Sequence, residues 1–376
     1  MKIMHVVGAR PNFMKLAPVF GALAERNGFS QTLVHTGQHY DNRMSEVFFH
    51  QLGIPAPDNN LAVGSGSHAT QTAQIMTRLE EVLLSNAPDL VLVYGDVNST
   101  VAATLVCSKL LIPVGHVEAG LRSGDRTMPE EVNRVLTDQM AELLFTPSTD
   151  ANENLLHEGI SEERIHLVGN VMIDTLVRLM KFNENSHNLK RLQKQSNLPL
   201  NVLHNKYALV TLHRPSNVDD PEKLREIVST LEELSDDLPM VFPVHPRTRK
   251  RILDCCVASS GKRHFYMLEP LGYVEFLILQ KNALLVVTDS GGIQEETSFL
   301  GVPCLTLRDN TERPVTVTMG TNKLVGRNMD QLVREIRRIL VGDVKKGCIP
   351  PLWDGRASER IADILVDRLC CNLGEY

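Results

Sequence analysis

Along the chain, short apolar runs alternate with longer amphipathic stretches, the pattern of repeated βα units on a parallel sheet. In the first half this predicts strands at Lys2–Val7, Gln31–Thr36, Asp89–Tyr94, Ile112–Val117, Leu143–Thr146 and Ile165–Val168, with helices between them such as Asn98–Leu110 and Pro129–Leu143. In the second half it predicts strands at Tyr207–Thr211, Met240–Pro243, His264–Leu268, Leu284–Thr288 and Pro303–Thr306. Helices are expected there at Pro221–Ser235, Val274–Lys281, Gly292–Leu300 and Met329–Leu340. Each series is long enough for a sheet of its own. The hinge is placed near Gly169–Asn170, and the polar segment 184–206 reads as an insertion leading into the second sheet. The final helix, roughly Ser358–Leu373, is expected to cross back to the first domain. The domains expected are therefore 1–169 joined by 358–376, and 170–357.

The 376 residues agree with two domains, at ~150 residues each. Thirty-nine basic against 45 acidic residues leave a net charge of −6, which argues against a nucleic-acid-coating protein. The 43% apolar and 22% charged content is that of an ordinary globular chain. No stretch approaches the ~18 apolar residues of a membrane helix. The start MKIMHVVGARPN lacks the form of a signal peptide: its apolar run is short, and Arg10 arrives with no small-residue cleavage site before it. The seven cysteines contain no CxxC pair, so neither a zinc site nor a disulfide framework is expected. Free thiols without an export signal point to the cytoplasm.

In open α/β sheets the ligand lies beyond the carboxyl ends of the strands, so the residues just after each strand carry the candidate chemistry. After the first strand, Gly8 allows a tight turn, and Arg10 and Lys15 bring positive charge to a helix N-terminus. That segment alone fits an anion site and a plain strand–helix turn equally well. His213 and Arg214 follow the run YALVTL, and His245 and Arg247 repeat the arrangement one strand later. The strongest phosphate signal is Thr288-Asp289-Ser290-Gly291-Gly292, where an apolar strand runs into two glycines and then a helix. Glu296, about one turn into that helix, is placed to accept hydrogen bonds from a sugar diol. Two further strands end in acids, at Gly95-Asp96 and His116-Val117-Glu118, where burial can raise a pKa. Glu130 and Glu131 follow Pro129, and by themselves would be dipole compensation in a first helical turn. No metal-ligand spacing accompanies these acids. Anion binding combined with several protonatable acids fits acid–base chemistry on a phosphorylated or nucleotide-linked substrate.

The segments GARPNFMKLAP, GDVNST, GHVEAGLRSGD, MPEEVNR, TDSGGIQEE and RDNTERP resemble the non-hydrolysing UDP-N-acetylglucosamine 2-epimerase family, collinearly from residue 3 to about residue 340. The resemblance implies an α/β fold of GT-B type, two Rossmann-like domains with parallel sheets facing across a deep cleft. It implies interconversion of UDP-GlcNAc and UDP-ManNAc by a cytoplasmic homodimer that supplies surface polysaccharide, with a UDP-sugar as partner and no metal or nicotinamide cofactor. Carried over by motif, Asp96, Glu118 and Glu130 would be the acid–base carboxylates, and His213 a catalytic or phosphate-contacting partner. Arg10, Lys15, Ser290, Gly291, Gly292, Glu296 and Arg313 would hold UDP, with Phe276 beside the uracil. Members activated by a second UDP-GlcNAc usually read QHR-E/Q-M after the second strand. Here the text is Gln38-His39-Tyr40-Asp41-Asn42-Arg43-Met44, and the stretch 59–69 has no arginine, so Gln38 and His39 are retained and the rest of that pattern is not. Leu271 stands where some members have glutamine. The family also holds epimerases of diacetamido-uronic UDP-sugars, and a GT-B glycosyltransferase would share the fold.

Overall fold

The segment Leu90–Tyr94 reads LVLVY, and all five side chains are buried. A strand apolar on both faces belongs at the centre of a parallel sheet covered by helices on each side. The computed structural model describes residues 1–38, 52–182, 198–199, 202–203, 206–255 and 264–373. His39 to Met44, and most of the expected 184–206 insertion, lie outside the described residues. Among the described residues the first sheet is built from Lys2–Val7 (β1), Ser30–His35 (β2), Asn59–Asn60 (β3), Leu90–Tyr94 (β4), Val114–Val117 (β5), Leu143–Thr146 (β6) and Ile165–Leu167 (β7). The second is built from Ala208–Thr211 (β8), Met240–Pro243 (β9), Phe265–Leu268 (β10), Leu285–Thr288 (β11), Cys304–Thr306 (β12) and Asn322–Leu324 (β13). Their orders are β3-β2-β1-β4-β5-β6-β7 and β10-β9-β8-β11-β12-β13, and every pairing is parallel.

Both orders reverse direction once, between β1 and β4 in the first sheet and between β8 and β11 in the second. At such a reversal the connections leave to opposite faces and open a crevice beyond the carboxyl ends of the two central strands. The turns after β1, β4, β8 and β11 therefore border the places where each sheet can receive a ligand. Two parallel-sheet α/β units of this order make the architecture GT-B type, as expected.

Helix formation follows the local patterning. In Met329–Leu340 the buried residues are Met329, Leu332, Ile336 and Ile339, one stripe at helical spacing, and the Asn328 side chain caps the start by accepting from Gln331 N–H at 2.9 Å. In Pro221–Leu234, Asp220 caps and Pro221 opens the first turn, while Leu224, Ile227, Val228, Leu231 and Leu234 are buried. The helix expected to run to Leu143 spans Pro129–Met140 instead, because Ala141 turns extended and Leu143 opens β6. Strands β3 and β13 were not predicted; at two and three residues they carry no readable alternation.

The chain divides into two compact units, Met1–Arg178 with Pro351–Tyr376, and Leu179–Pro350. The division falls inside the helix Val171–Phe182, past the expected Gly169–Asn170, and the return begins ahead of Ser358. Specific contacts explain both shifts. Asp174 accepts from the N–H groups of Ala357 at 3.1 Å and Ser358 at 2.7 Å, so the first half of that helix anchors the last one. Trp353 is buried and donates through Nε1 to the Pro147 carbonyl at 2.9 Å. Gly169 has φ +89, and a Cβ there would lie 2.1 Å from the Leu352 carbonyl oxygen, so only glycine lets the returning segment pass. The helix Ala357–Leu373 then packs on the first unit, with Arg26 paired to Asp363 at 2.7 Å.

Candidate active site

In the first unit the turn after β1 is tied down by a polar side chain. Asn12 is buried, its Oδ1 accepts from the N–H groups of Gly8 and Ala9 at 3.1 Å each, and its amide donates to the Tyr94 carbonyl at 2.7 Å. The turns leaving β1 and β4 are thereby locked together. Arg10 is exposed at the start of the helix Arg10–Ala24. Lys15, further along it, is buried, and its ammonium pairs with the Glu118 carboxylate. Each is the other's compensation, since a buried charge needs a close partner.

Glu118 follows β5 with φ +77, a left-handed conformation uncommon outside glycine. It is held there because the N–H groups of both Glu118 and Ala119 donate to the Phe145 carbonyl at 3.0 Å. A Cβ on Gly95 would lie 2.6 Å from Lys15 Nζ and 3.2 Å from Glu118 Oε2. The Glu118 carboxylate therefore lies against the turn that carries Asp96. Asp96 itself accepts on Oδ2 from Arg134 Nε at 3.0 Å and Nη2 at 2.8 Å, and its main-chain carbonyl accepts from the Asn133 amide at 2.9 Å. Of the two glutamates after Pro129, Glu130 is exposed. Glu131 is buried, pairs with Arg134 at 2.5 Å, and accepts from the N–H groups of Ser123 and Gly124 at 2.9 Å.

In the second unit the turns after β8 and β11 meet at Asp289. Its carboxylate, fully buried, accepts from the N–H of Arg214 at 3.0 Å and from the Asn217 amide at 3.1 Å, and pairs with His213 Nδ1 at 2.9 Å. Burial opposes its charge, but the His213 ring and these donors outweigh burial and hold the carboxyl below its ordinary value. His213 is thus gripped through Nδ1 and its main chain while its side chain stays 56% exposed.

Ser290 precedes the helix Gly291–Leu300, so the N–H groups of its first turn point out beyond β11. A Cβ at Gly291 would lie 2.5 Å from the Arg313 guanidinium. Glycine is what lets that cation lie against the helix start. Arg313 also pairs with Glu295 at 2.7 Å. Glu312, buried among Arg214, Arg308 and Arg313, is held below its ordinary pKa despite burial. Glu296 behaves oppositely: burial pushes its carboxyl up to about 7, against the Tyr273 hydroxyl, which donates to it at 2.7 Å. Phe276 is half-buried on the helix Tyr273–Asn282, packed against the cluster that includes Leu209 and Val286.

The structure thus gathers Lys15, Asp96 and Glu118 at the carboxyl ends of β1, β4 and β5, and His213, Ser290, Gly291, Gly292 and Arg313 at those of β8, β11 and β12. Arg134 and Asn12 were not singled out from the sequence, and Asp289 stood in the phosphate turn without a role of its own. Asp289 ends an apolar strand as Asp96 does, and that same signal would have given it one. Among the described residues no three His, Cys, Asp or Glu side chains cluster so as to hold a metal ion, and no helix is long and apolar enough to cross a membrane.

A model of the UDP-N-acetylglucosamine 2-epimerase family matches residues 21–366. The chain belongs to that family. It is accordingly an epimerase, an enzyme of the isomerase class. It is 44% identical over 97% of its length to the UDP-N-acetylglucosamine 2-epimerase of Methanocaldococcus jannaschii, of which 99% is covered. It is also 42% identical, over 97% of its length and 99% of the relative, to the UDP-2,3-diacetamido-2,3-dideoxy-D-glucuronate 2-epimerase of Pseudomonas aeruginosa. A crystal structure of the M. jannaschii enzyme in complex with UDP-GlcNAc and UDP superimposes with a TM-score of 0.87 at 43% identity, covering 97% of this epimerase and 99% of that chain.

Proposed function

We propose that this epimerase interconverts UDP-N-acetylglucosamine and UDP-N-acetylmannosamine without releasing the free sugar. The C2 hydrogen is not next to a carbonyl, so direct abstraction is hard. Instead a base takes the C2 proton as the C1–O bond breaks, its electron pair leaving with UDP, and a 2-acetamidoglucal forms. Return of a proton to C2 from the other face and re-addition of UDP at C1 give the epimer. Two acid–base groups on opposite faces and a grip on the leaving diphosphate are required.

In this reading Asp96, Glu118 and Glu130 are the acid–base carboxylates. Arg10, Lys15, Ser290, Gly291, Gly292 and Arg313 hold the diphosphate with His213, Glu296 accepts from the ribose hydroxyls, and Phe276 sits beside the base. The observation that carries the reading is the meeting of Asp96 and Glu118 at adjacent strand ends, with Glu118 held in a left-handed backbone conformation. Non-glycine residues in that region cost of order 1–3 kcal/mol and concentrate at functional sites. The 42% identity to the P. aeruginosa enzyme supports a second reading, in which the substrate is a UDP-diacetamido uronate. Action as a cytoplasmic homodimer that supplies surface polysaccharide belongs to the same proposal.

Proton NMR of UDP-GlcNAc with the enzyme in deuterated water tests it. The expected result is a UDP-ManNAc signal with deuterium at C2 in both epimers. A UDP-sugar left unchanged, while the diacetamido uronate is epimerised, moves the assignment to the second reading. Transfer to an added acceptor without any epimer overturns both in favour of a glycosyltransferase.

A further inference from the structure

We propose that His116 and Asp138 form a positioning pair for this reaction, a buried imidazolium and carboxylate that together fix the two turns carrying Asp96 and Glu118. The inference rests on the reading of those two carboxylates as acid–base groups. His116 lies in β5 and Asp138 in the helix Pro129–Met140, and both are fully buried. His116 Nε2 is 2.8 Å from the Gly95 carbonyl oxygen, and Nδ1 is 2.6 Å from Asp138 Oδ1. A main-chain carbonyl only accepts, so Nε2 carries a hydrogen. Burial opposes charge on Asp138, yet the His116 ring and the Arg122 guanidinium outweigh it and hold the carboxyl below its ordinary value. The other Asp138 oxygen faces the Arg122 guanidinium and the Gly120 N–H, the partners of a carboxylate, so Asp138 is an acceptor as well and Nδ1 also carries a hydrogen. The ring donates from both nitrogens.

The second Asp138 oxygen completes the device. Oδ2 accepts from the Gly120 N–H at 3.0 Å and pairs with Arg122 Nη1 at 2.7 Å, and Arg122 in turn pairs with Glu158 at 2.7 Å. One carboxylate therefore reaches both turns. Through His116 it holds the carbonyl of Gly95, the residue before Asp96. Through the Gly120 N–H it holds the end of Glu118-Ala119-Gly120. Gly120 has φ +81, and a Cβ there would lie 2.5 Å from the Ala151 carbonyl oxygen, so the turn has no slack on its other side. A buried ion pair is a poor stabiliser, since well-packed apolar residues of like volume often do as well or better. What an apolar pair could not do is hold the main chain of two separate turns in register.

The test compares Asp138→Asn, His116→Gln and Glu118→Gln with the wild-type chain. A misplacement of about 1 Å costs roughly 10²-fold in rate. Asp138→Asn is therefore expected to lose about 10²-fold in kcat, with KM and calorimetric UDP affinity near wild type. Nitrogen NMR of the wild-type histidine rings is expected to show, apart from His213, a ring protonated at both nitrogens whose signal is lost in both Asp138→Asn and His116→Gln. His116→Gln, which keeps a neutral donor toward Gly95, is expected to show the same split. If Asp138→Asn does not fold, His116→Gln and the wild-type spectrum decide. Full turnover in either folded variant, UDP affinity falling in step with kcat, or a wild-type spectrum with no doubly protonated ring that His116→Gln removes overturns the pair. If Glu118→Gln also turns over normally, the carboxylate assignment has failed instead.

Discussion

Replacing Glu118 by glutamine removes one charge from a pair whose side chains are only 7% and 4% exposed, Lys15 and Glu118 respectively. Deleting a partner from a buried pair outright costs about 3–5 kcal/mol. Glutamine keeps a carbonyl that still accepts from the ammonium, which brings the loss to about 1–3 kcal/mol. Against a typical stability of about 5–15 kcal/mol the variant stays folded at room temperature. In a unit of roughly 200 residues its melting temperature falls by about 2–4 °C per kcal/mol. The chemical loss is larger. A general acid–base group is typically worth ~10²–10⁴ in rate, or about 3–5 kcal/mol of barrier. The assay is epimer formation and C2 deuterium uptake by NMR, alongside thermal melting and UDP calorimetry. Epimerisation is expected to disappear while UDP still binds. The double variant Lys15→Met/Glu118→Gln removes both charges, so it should regain part of the lost melting temperature and remain inactive. Near-normal turnover in Glu118→Gln, or activity that tracks the folded fraction, would refute the reasoning.

Three further outcomes follow from the second unit. Glu296 binds a proton in the folded chain up to about pH 7 but only to about 4.5 when unfolded. Its contribution to stability is therefore present below 4.5 and is lost as pH rises through about 7. Glu296→Gln should lack that slope in denaturant titrations across this window, and an unchanged slope would show that another group titrates there. Arg313→Ala should weaken UDP binding by at least about tenfold, and should lower the melting temperature because its pairing with the buried Glu295 is lost. Unchanged affinity by calorimetry removes Arg313 from the grip. Asp289→Asn sets an amide against the main-chain donors of His213 and Arg214, at about 1–3 kcal/mol. UDP affinity should fall by roughly ten- to a hundredfold, and a normal affinity means that the orientation of His213 does not matter.

The central strands, the helices with one apolar stripe, and the polar turn at each strand's carboxyl end could all be read along the chain, because a two- or 3.6-residue period is a local property. Asp96, Glu118 and the Ser290-Gly291-Gly292 turn were visible for the same reason: each interrupts an apolar run where a parallel sheet exposes its edge. Their partners were not. Lys15 and Glu118 are 103 residues apart, Asp96 and Arg134 are 38, and His213 and the Asp289 that holds it are 76. Which charges meet depends on β1 lying beside β4 and β8 beside β11, and strand order leaves no periodic trace. Burial then separates neighbours that look alike in sequence, leaving Glu130 in water while Glu131 is enclosed with Arg134, because a helix turns consecutive side chains about 100° apart.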